Sequence, residues 1–163
     1  VSGLTPRPVP ILATVLLGVG LGGFFDGIVL HQLLQWHHML SSWHPITSLE
    51  ALELNTRWDG YFHAGTYLVV IAAVFVIWGA SGKGALRVDG RRLVGGLLAG
   101  FGLFNLIEGV VDHAILGVHH VNESAARESW PYWDAAFLVC GAAMFAIGVW
   151  LLRSPSAVEH AQV

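Results

Sequence analysis

Nine histidines stand against eight Lys plus Arg, and most of them fall in apolar stretches with an acid close by. GFFDGIVLHQLLQWHH carries Asp26, His31, His37 and His38. NLIEGVVDHAILGVHHV carries Glu108, Asp112, His113, His119 and His120. In WDGYFH, Asp59 and His63 lie four residues apart, and Asp134 follows Trp133 in a second Trp-Asp pair. A carboxylate or a charged imidazole is expensive in hydrocarbon unless it is paired or bound to a cation. A divalent metal neutralises the acids and takes the imidazole lone pair. Imidazole with carboxylate suits copper(II), zinc and non-haem iron. A soft thiolate or all-thioether site is not available, because Cys140 is the one cysteine and Met39 and Met144 are the two methionines. His44 and His160 read as loop and tail residues. Asp59 and Asp134 have a second reading as N-caps of the helices that follow them. Asp26 and Glu108 have one as a structural polar pair that bonds to helix backbone or to Asn105.

The elements that must hold these residues are membrane helices. Only 12% of residues are charged, against roughly 25% in a soluble domain, and mean hydropathy is +0.63. Four apolar runs, at 11–30, 60–80, 93–111 and 133–152, each reach the ~20 residues that cross a hydrocarbon core. Beyond Leu30 the first stays uncharged through Ser42, and the third runs on through Val121 past Asp112 alone, so both helices are expected to project above the membrane. The central connection GASGKGALRVDGRR is basic, whereas the other two are acidic or balanced. The positive-inside rule then places both termini and this connection in the cytoplasm and the His-rich ends outside. No signal peptide is expected, because the start lacks a basic region and a small-residue cleavage site. The net charge of -3 argues against nucleic acid as a partner.

Residues 18–39 laid over 100–121 match at nine of 22 positions without a gap. His31 falls on His113, His37 and His38 on His119 and His120, and Asp26 on Glu108. The expected fold is all-α: a polytopic four-helix bundle, one membrane domain over 1–163, built from two parallel two-helix repeats at 18–79 and 100–152. If the helices continue, Asp26 and His37 share one helical stripe and His31 and His38 another. The upper His pairs then stand roughly 9–12 Å above the outer boundary. His31, His63 and His113 are expected to share a space at the outer end, with Asp59 one turn from His63.

With these motifs the chain resembles a bacterial family of predicted membrane proteins, a domain of unknown function with repeated D/E-G-x-x-x-H-x5-H-H motifs. The resemblance covers about Gly18 to Trp150. It implies membership without an activity to carry over. Members look to be encoded near a copper-related assembly protein of cytochrome oxidase, which points toward copper and respiration.

The reading from sequence is a metal-binding protein of the bacterial inner membrane with its site on the exoplasmic side. The ligand candidates are His31, His63, His113, Asp59, Asp26, Glu108, Asp112, His37, His38, His119, His120 and Asp134. Copper comes first, in redox chemistry or metal handling linked to respiration, with zinc or iron next. The alternatives are a haem b electron-transfer protein and a non-haem iron oxidoreductase. The expected partners are the bilayer and a respiratory or copper-handling protein, with self-association left open.

Overall fold

The computed structural model describes residues 6–154. A short strand β1 (Arg7–Pro8) leads into α1 (Ile11–Phe24), whose last turns widen into a π-helix at Phe25–Leu33. A folded loop leads to α2 (Leu49–Ser81), then β2 (Leu86–Arg87) and α3 (Gly90–Glu108), which widens into a second π-helix at Gly109–Leu116. A second folded loop and a turn at Arg127–Ser129 enter α4 (Trp130–Arg153). The four helical units are long and apolar enough to cross a membrane. They start and stop for local reasons. The Ser48 side chain caps α2 by accepting from the Ala51 amide, and Asp89 caps α3 by accepting from Arg91 and Arg92. Each such cap stabilises by about 1 kcal/mol.

Helices α1 and α3 form the centre. Nearly half of each of their apolar spans is buried, against about a tenth for α2 and α4. The cause is in the glycines. A Cβ on Gly100 would land on the Val15 carbonyl, and one on Gly18 would lie 2.9 Å from the Gly100 Cα. Backbone therefore meets backbone, the geometry that small residues permit between membrane helices. The helix α2 packs on α1 and α4 on α3. Leu68, Phe75 and Trp78 on α2, and Val139, Ile147 and Trp150 on α4, remain exposed. In a bilayer these faces meet lipid.

The strands join at one end of the bundle. β1 pairs in parallel with β2, and the Arg7 amide donates to Ala85 O at 2.9 Å. The chain start and the basic central connection thus lie at one end of the bundle. The two His-rich loops lie at the other.

The projecting helices are not seen. The first ends at Leu33 and the third at Leu116. At Gln35 the backbone turns left-handed, with φ 51°, and at Gly117 it does so with φ 58°. These positions are 82 apart. Each reverses the chain, so the residues that follow fold back over the bundle end instead of rising above it.

Candidate metal centre

The π-helices bring the first ligand atoms together. In an α-helix, residues five apart stand about 140° apart at 100° per residue. The i to i+5 winding of a π-helix brings them nearly into line. His31 Nε2 accordingly lies 3.0 Å from Asp26 Oδ2, and His113 Nε2 lies 2.8 Å from Glu108 Oε1. The reversed loops then deliver the second imidazoles. His119 Nε2 sits 2.9 Å from Glu108 Oε1, and His37 Nε2 sits 3.8 Å from Asp26 Oδ1. The His37 and His119 rings stack at 4.5 Å between centroids. All six side chains are buried, none more than 4% exposed.

Three of the four rings are held from behind by a hydrogen bond at Nδ1. His31 Nδ1 donates to Asp59 Oδ1 at 2.9 Å. His37 Nδ1 donates to the Val121 carbonyl at 2.9 Å, and His119 Nδ1 donates to the Met39 carbonyl at 3.1 Å. A carbonyl only accepts, so His37 and His119 carry their hydrogen on Nδ1 and turn Nε2 inward. His113 Nδ1 lies 3.5 Å from Asp134 Oδ1. Asp59 and Asp134 also hold the neighbouring imidazoles, His38 and His120, each at 2.6 Å, and the amides of Met39 and Val121. Met39 and Val121 are themselves 82 apart. A buried imidazole with one nitrogen tied to a carboxylate or carbonyl is the arrangement that orients metal-ligating His.

Most of what faces inward makes no hydrogen bond, although His31 Nε2 and His113 Nε2 stand at ion-pair distance from Asp26 and Glu108, and His119 Nε2 is bonded to Glu108. Asp26 Oδ1, Glu108 Oε2 and the Nε2 atoms of His31, His37 and His113 are buried without a hydrogen-bond partner. Such atoms are rare and costly. The close pairs, at 2.8–3.0 Å, stand at ion-pair distance, a little inside the roughly 3.3–3.6 Å that separates neighbouring ligands on one tetrahedral ion with bonds of 2.0–2.2 Å. Three sets of ligand atoms each fall within 4.8 Å: His31, His37 and His119; Glu108, His113 and His119; Asp26, His37 and Glu108. The two loop imidazoles differ in charge preference. Burial pushes His37 below the ordinary imidazole value. Burial is the largest influence on His119 and pushes it down, but its hydrogen bond to Glu108 and the charges of Glu108 and Asp26 together outweigh this and raise it.

The comparison with known families now has its geometry. A family model described as predicted membrane protein (DUF2243) matches residues 13–155. The chain belongs to this family. No curated protein and no solved structure matches it. The matched segment takes in both π-helices, both loops and all four spans.

The structure rearranges the expected site in several places. His37, His38, His119 and His120 do not stand above the bundle on extended helices. Asp26 and His37 meet because the loop folds back, and the His31 and His38 stripe is replaced by a shared bond to Asp59. Asp59 and Asp134 lie outside the three ligand-atom sets and brace imidazoles instead. Neither caps a helix, since α2 begins at Leu49 and α4 at Trp130. His38 and His120 are braced but partly open to solvent. His63 does not join His31 and His113: it packs over Gly27, where any Cβ would collide with its ring. Asp112 is half-buried, and its carbonyl accepts from the Val118 amide; its side chain lies outside the ligand-atom sets. His160 lies outside the described residues.

Some supporting groups were not singled out from sequence. Asn55 is fully buried, accepts from the Leu40 amide and donates to the His44 and Ala51 carbonyls. Its signal was its place one turn before Asp59 on the same helix face. The Glu123 carboxylate bonds to the Ser42 hydroxyl and the His120 amide, tying one loop to the other. Above the imidazoles a cavity of about 600 Å³ opens to solvent, bordered by Gln35, His37, His38, His120, Arg127 and Trp130. It gives an ion or a small molecule a route to His37 from the bundle end.

Proposed function

We propose that this protein is a membrane metal-binding protein whose centre is made by His31, His37, His113, His119, Asp26 and Glu108. The observation that carries the reading is the set of buried, inward-facing ligand atoms without hydrogen-bond partners, with the His31, His37 and His119 rings braced from behind. Removing a metal from such a set leaves the full cost of orphaned polar groups, which the protein would otherwise avoid. The positive-inside reading puts the centre and its cavity on the exoplasmic side of the bacterial inner membrane.

Copper is the metal we propose. Four imidazoles and two carboxylates are a nitrogen-rich set of intermediate softness, and divalent affinity for such a set peaks at copper. The link to respiration, as metal handling or redox chemistry beside a respiratory partner, rests on the family resemblance. One observation favours a second reading. Each repeat supplies two imidazoles and one carboxylate, the ligand set of non-haem iron oxygenases. Haem b is disfavoured, because the rings pack at 4.4–5.0 Å between neighbouring centroids and leave no slot for a flat macrocycle.

The test is elemental analysis with a visible spectrum on protein purified from metal-replete cells. Wild type should carry copper, and His31→Ala and His113→Ala should each carry less of it while remaining inserted and helical. His44→Ala should keep it. Protein without metal would overturn the reading, and a Soret band would replace it with haem.

A further inference from the structure

We infer that the centre holds two divalent ions bridged by carboxylate, one belonging mainly to each repeat. This rests on the metal-centre reading above and deepens it. The ligand atoms do not fit one ion. A single ion with bonds of 2.0–2.2 Å draws all its ligands within about 4.4 Å of one another. Among the described residues, the sets that close to within 4.8 Å are three overlapping triads: Glu108, His113 and His119 come from one repeat, the other two draw on both, and none joins His31 to His113. Each repeat has its own carboxylate against its own two imidazoles: Asp26 with His31 and His37, Glu108 with His113 and His119.

The carboxylates are shaped to bridge. Asp26 turns Oδ2 toward His31 and leaves Oδ1 unbonded, while Glu108 turns Oε1 toward its imidazoles and leaves Oε2 unbonded. Both acids share a triad with His37. Each therefore has one oxygen for its own half and one for the space between. Ions in two-metal sites stand roughly 3.5–4 Å apart. The parallel rings of His37 and His119, 4.5 Å apart, are spaced to serve one ion each.

Charge gives an independent argument. Asp26, Glu108, Asp59 and Asp134 carry four negative charges if ionised, and their contacts are imidazoles and, for Asp59 and Asp134, backbone amides as well. With the imidazoles neutral, as ligation requires, one divalent ion leaves half of that charge uncompensated at the edge of a membrane, where it is costly. Two ions balance it with the imidazoles neutral.

The experiment uses the full chain in detergent, stripped of metal and titrated with Cu²⁺ alone. Bound copper is counted after desalting, and the loaded protein is examined by electron paramagnetic resonance. Saturation at two ions per chain is expected, with a signal that integrates to fewer than two spins or shows a half-field line from coupled neighbours. The double variant His113→Ala with His119→Ala should saturate at one ion with an isolated copper(II) signal. Wild type saturating at one ion per chain would overturn the proposal while leaving the metal-centre reading intact. So would two ions without magnetic coupling. Wild type that binds no ion would instead defeat the metal-centre reading.

Discussion

Replacing Asp59 by Asn separates the bracing of the centre from its ligands. Asp59 Oδ1 accepts from His31 Nδ1 at 2.9 Å and from the Met39 amide at 2.8 Å, and Oδ2 accepts from His38 Nδ1 at 2.6 Å. Asn has nearly the same shape but only one acceptor oxygen on its amide. Whichever way it turns, its NH₂ group faces an N–H. At least one of the three bonds is lost, and the negative charge behind His31 is lost with it. The His31 Nε2 lone pair becomes less basic and its ring freer to turn. Loss of such an outer partner costs about 10–100-fold in metal affinity, or about 1.4–2.8 kcal/mol. The assay is Cu²⁺ competition against a chelator of known affinity, with Asp134→Asn as the matched variant in the other repeat. Glu50→Gln, in the exposed first turn of α2, is the distant control. Both Asp variants should fall in that range with the wild-type number of ions, and the control should not move. Unchanged affinity in Asp59→Asn would refute the bracing role. Loss of binding as complete as in His31→Ala would make Asp59 a ligand.

Metal should leave as the pH falls through about 6.5, because ligating imidazoles must be neutral; retention down to about pH 4 would count against imidazole ligation. His119 adds a signed effect in the metal-free protein, since its folded value is raised above the ordinary 6.5. Its stabilisation is full below the unfolded value and is lost as pH rises through the folded one. The difference in thermal stability between wild type and His119→Gln, measured without metal, should therefore shrink on going from pH 6 to pH 9. The topology is checked with a Ser81→Cys probe in a Cys140→Ser background: a membrane-impermeant thiol reagent added to intact cells should leave it unlabelled. Labelling there would reverse the orientation and put the centre on the cytoplasmic side.

Much of this was legible because the duplication copies chemistry along with helices. The offset of 82 that aligns His31 with His113 also relates Gln35 to Gly117 and Met39 to Val121. The structure uses all three pairs for equivalent tasks. The loop geometry was hidden for a physical reason. Hydropathy reports where a segment is apolar, not where its helix stops, and QLLQWHH carries no formal charge to mark an end. A left-handed Gln35 carries little sequence signal, although Gly117 at the matching place carries some. The π-helical widening is also silent in composition, so stripes drawn at 3.6 residues per turn put Asp26 with His37 by helix alone and missed its closer pairing with His31.

His63 shows how the same repeat, read further, separates an imidazole that fills space from those at the centre. Trp58 and Asp59 correspond to Trp133 and Asp134 at an offset of 75, because the second loop is shorter. At that offset Phe62 falls on Phe137, and both rings pack against the paired imidazoles, His31 at 5.7 Å and His113 at 5.4 Å. His63 falls on Leu138. A Cβ on Gly27 would strike His63, and one on Gly109 would strike Leu138. The two side chains fill equivalent gaps beside equivalent glycines. A position that accepts leucine in one half needs bulk there, not a lone pair. The residues that hold their chemistry in both halves are two carboxylates, two braced imidazole pairs and two bracing acids, and these are the residues that meet at the centre.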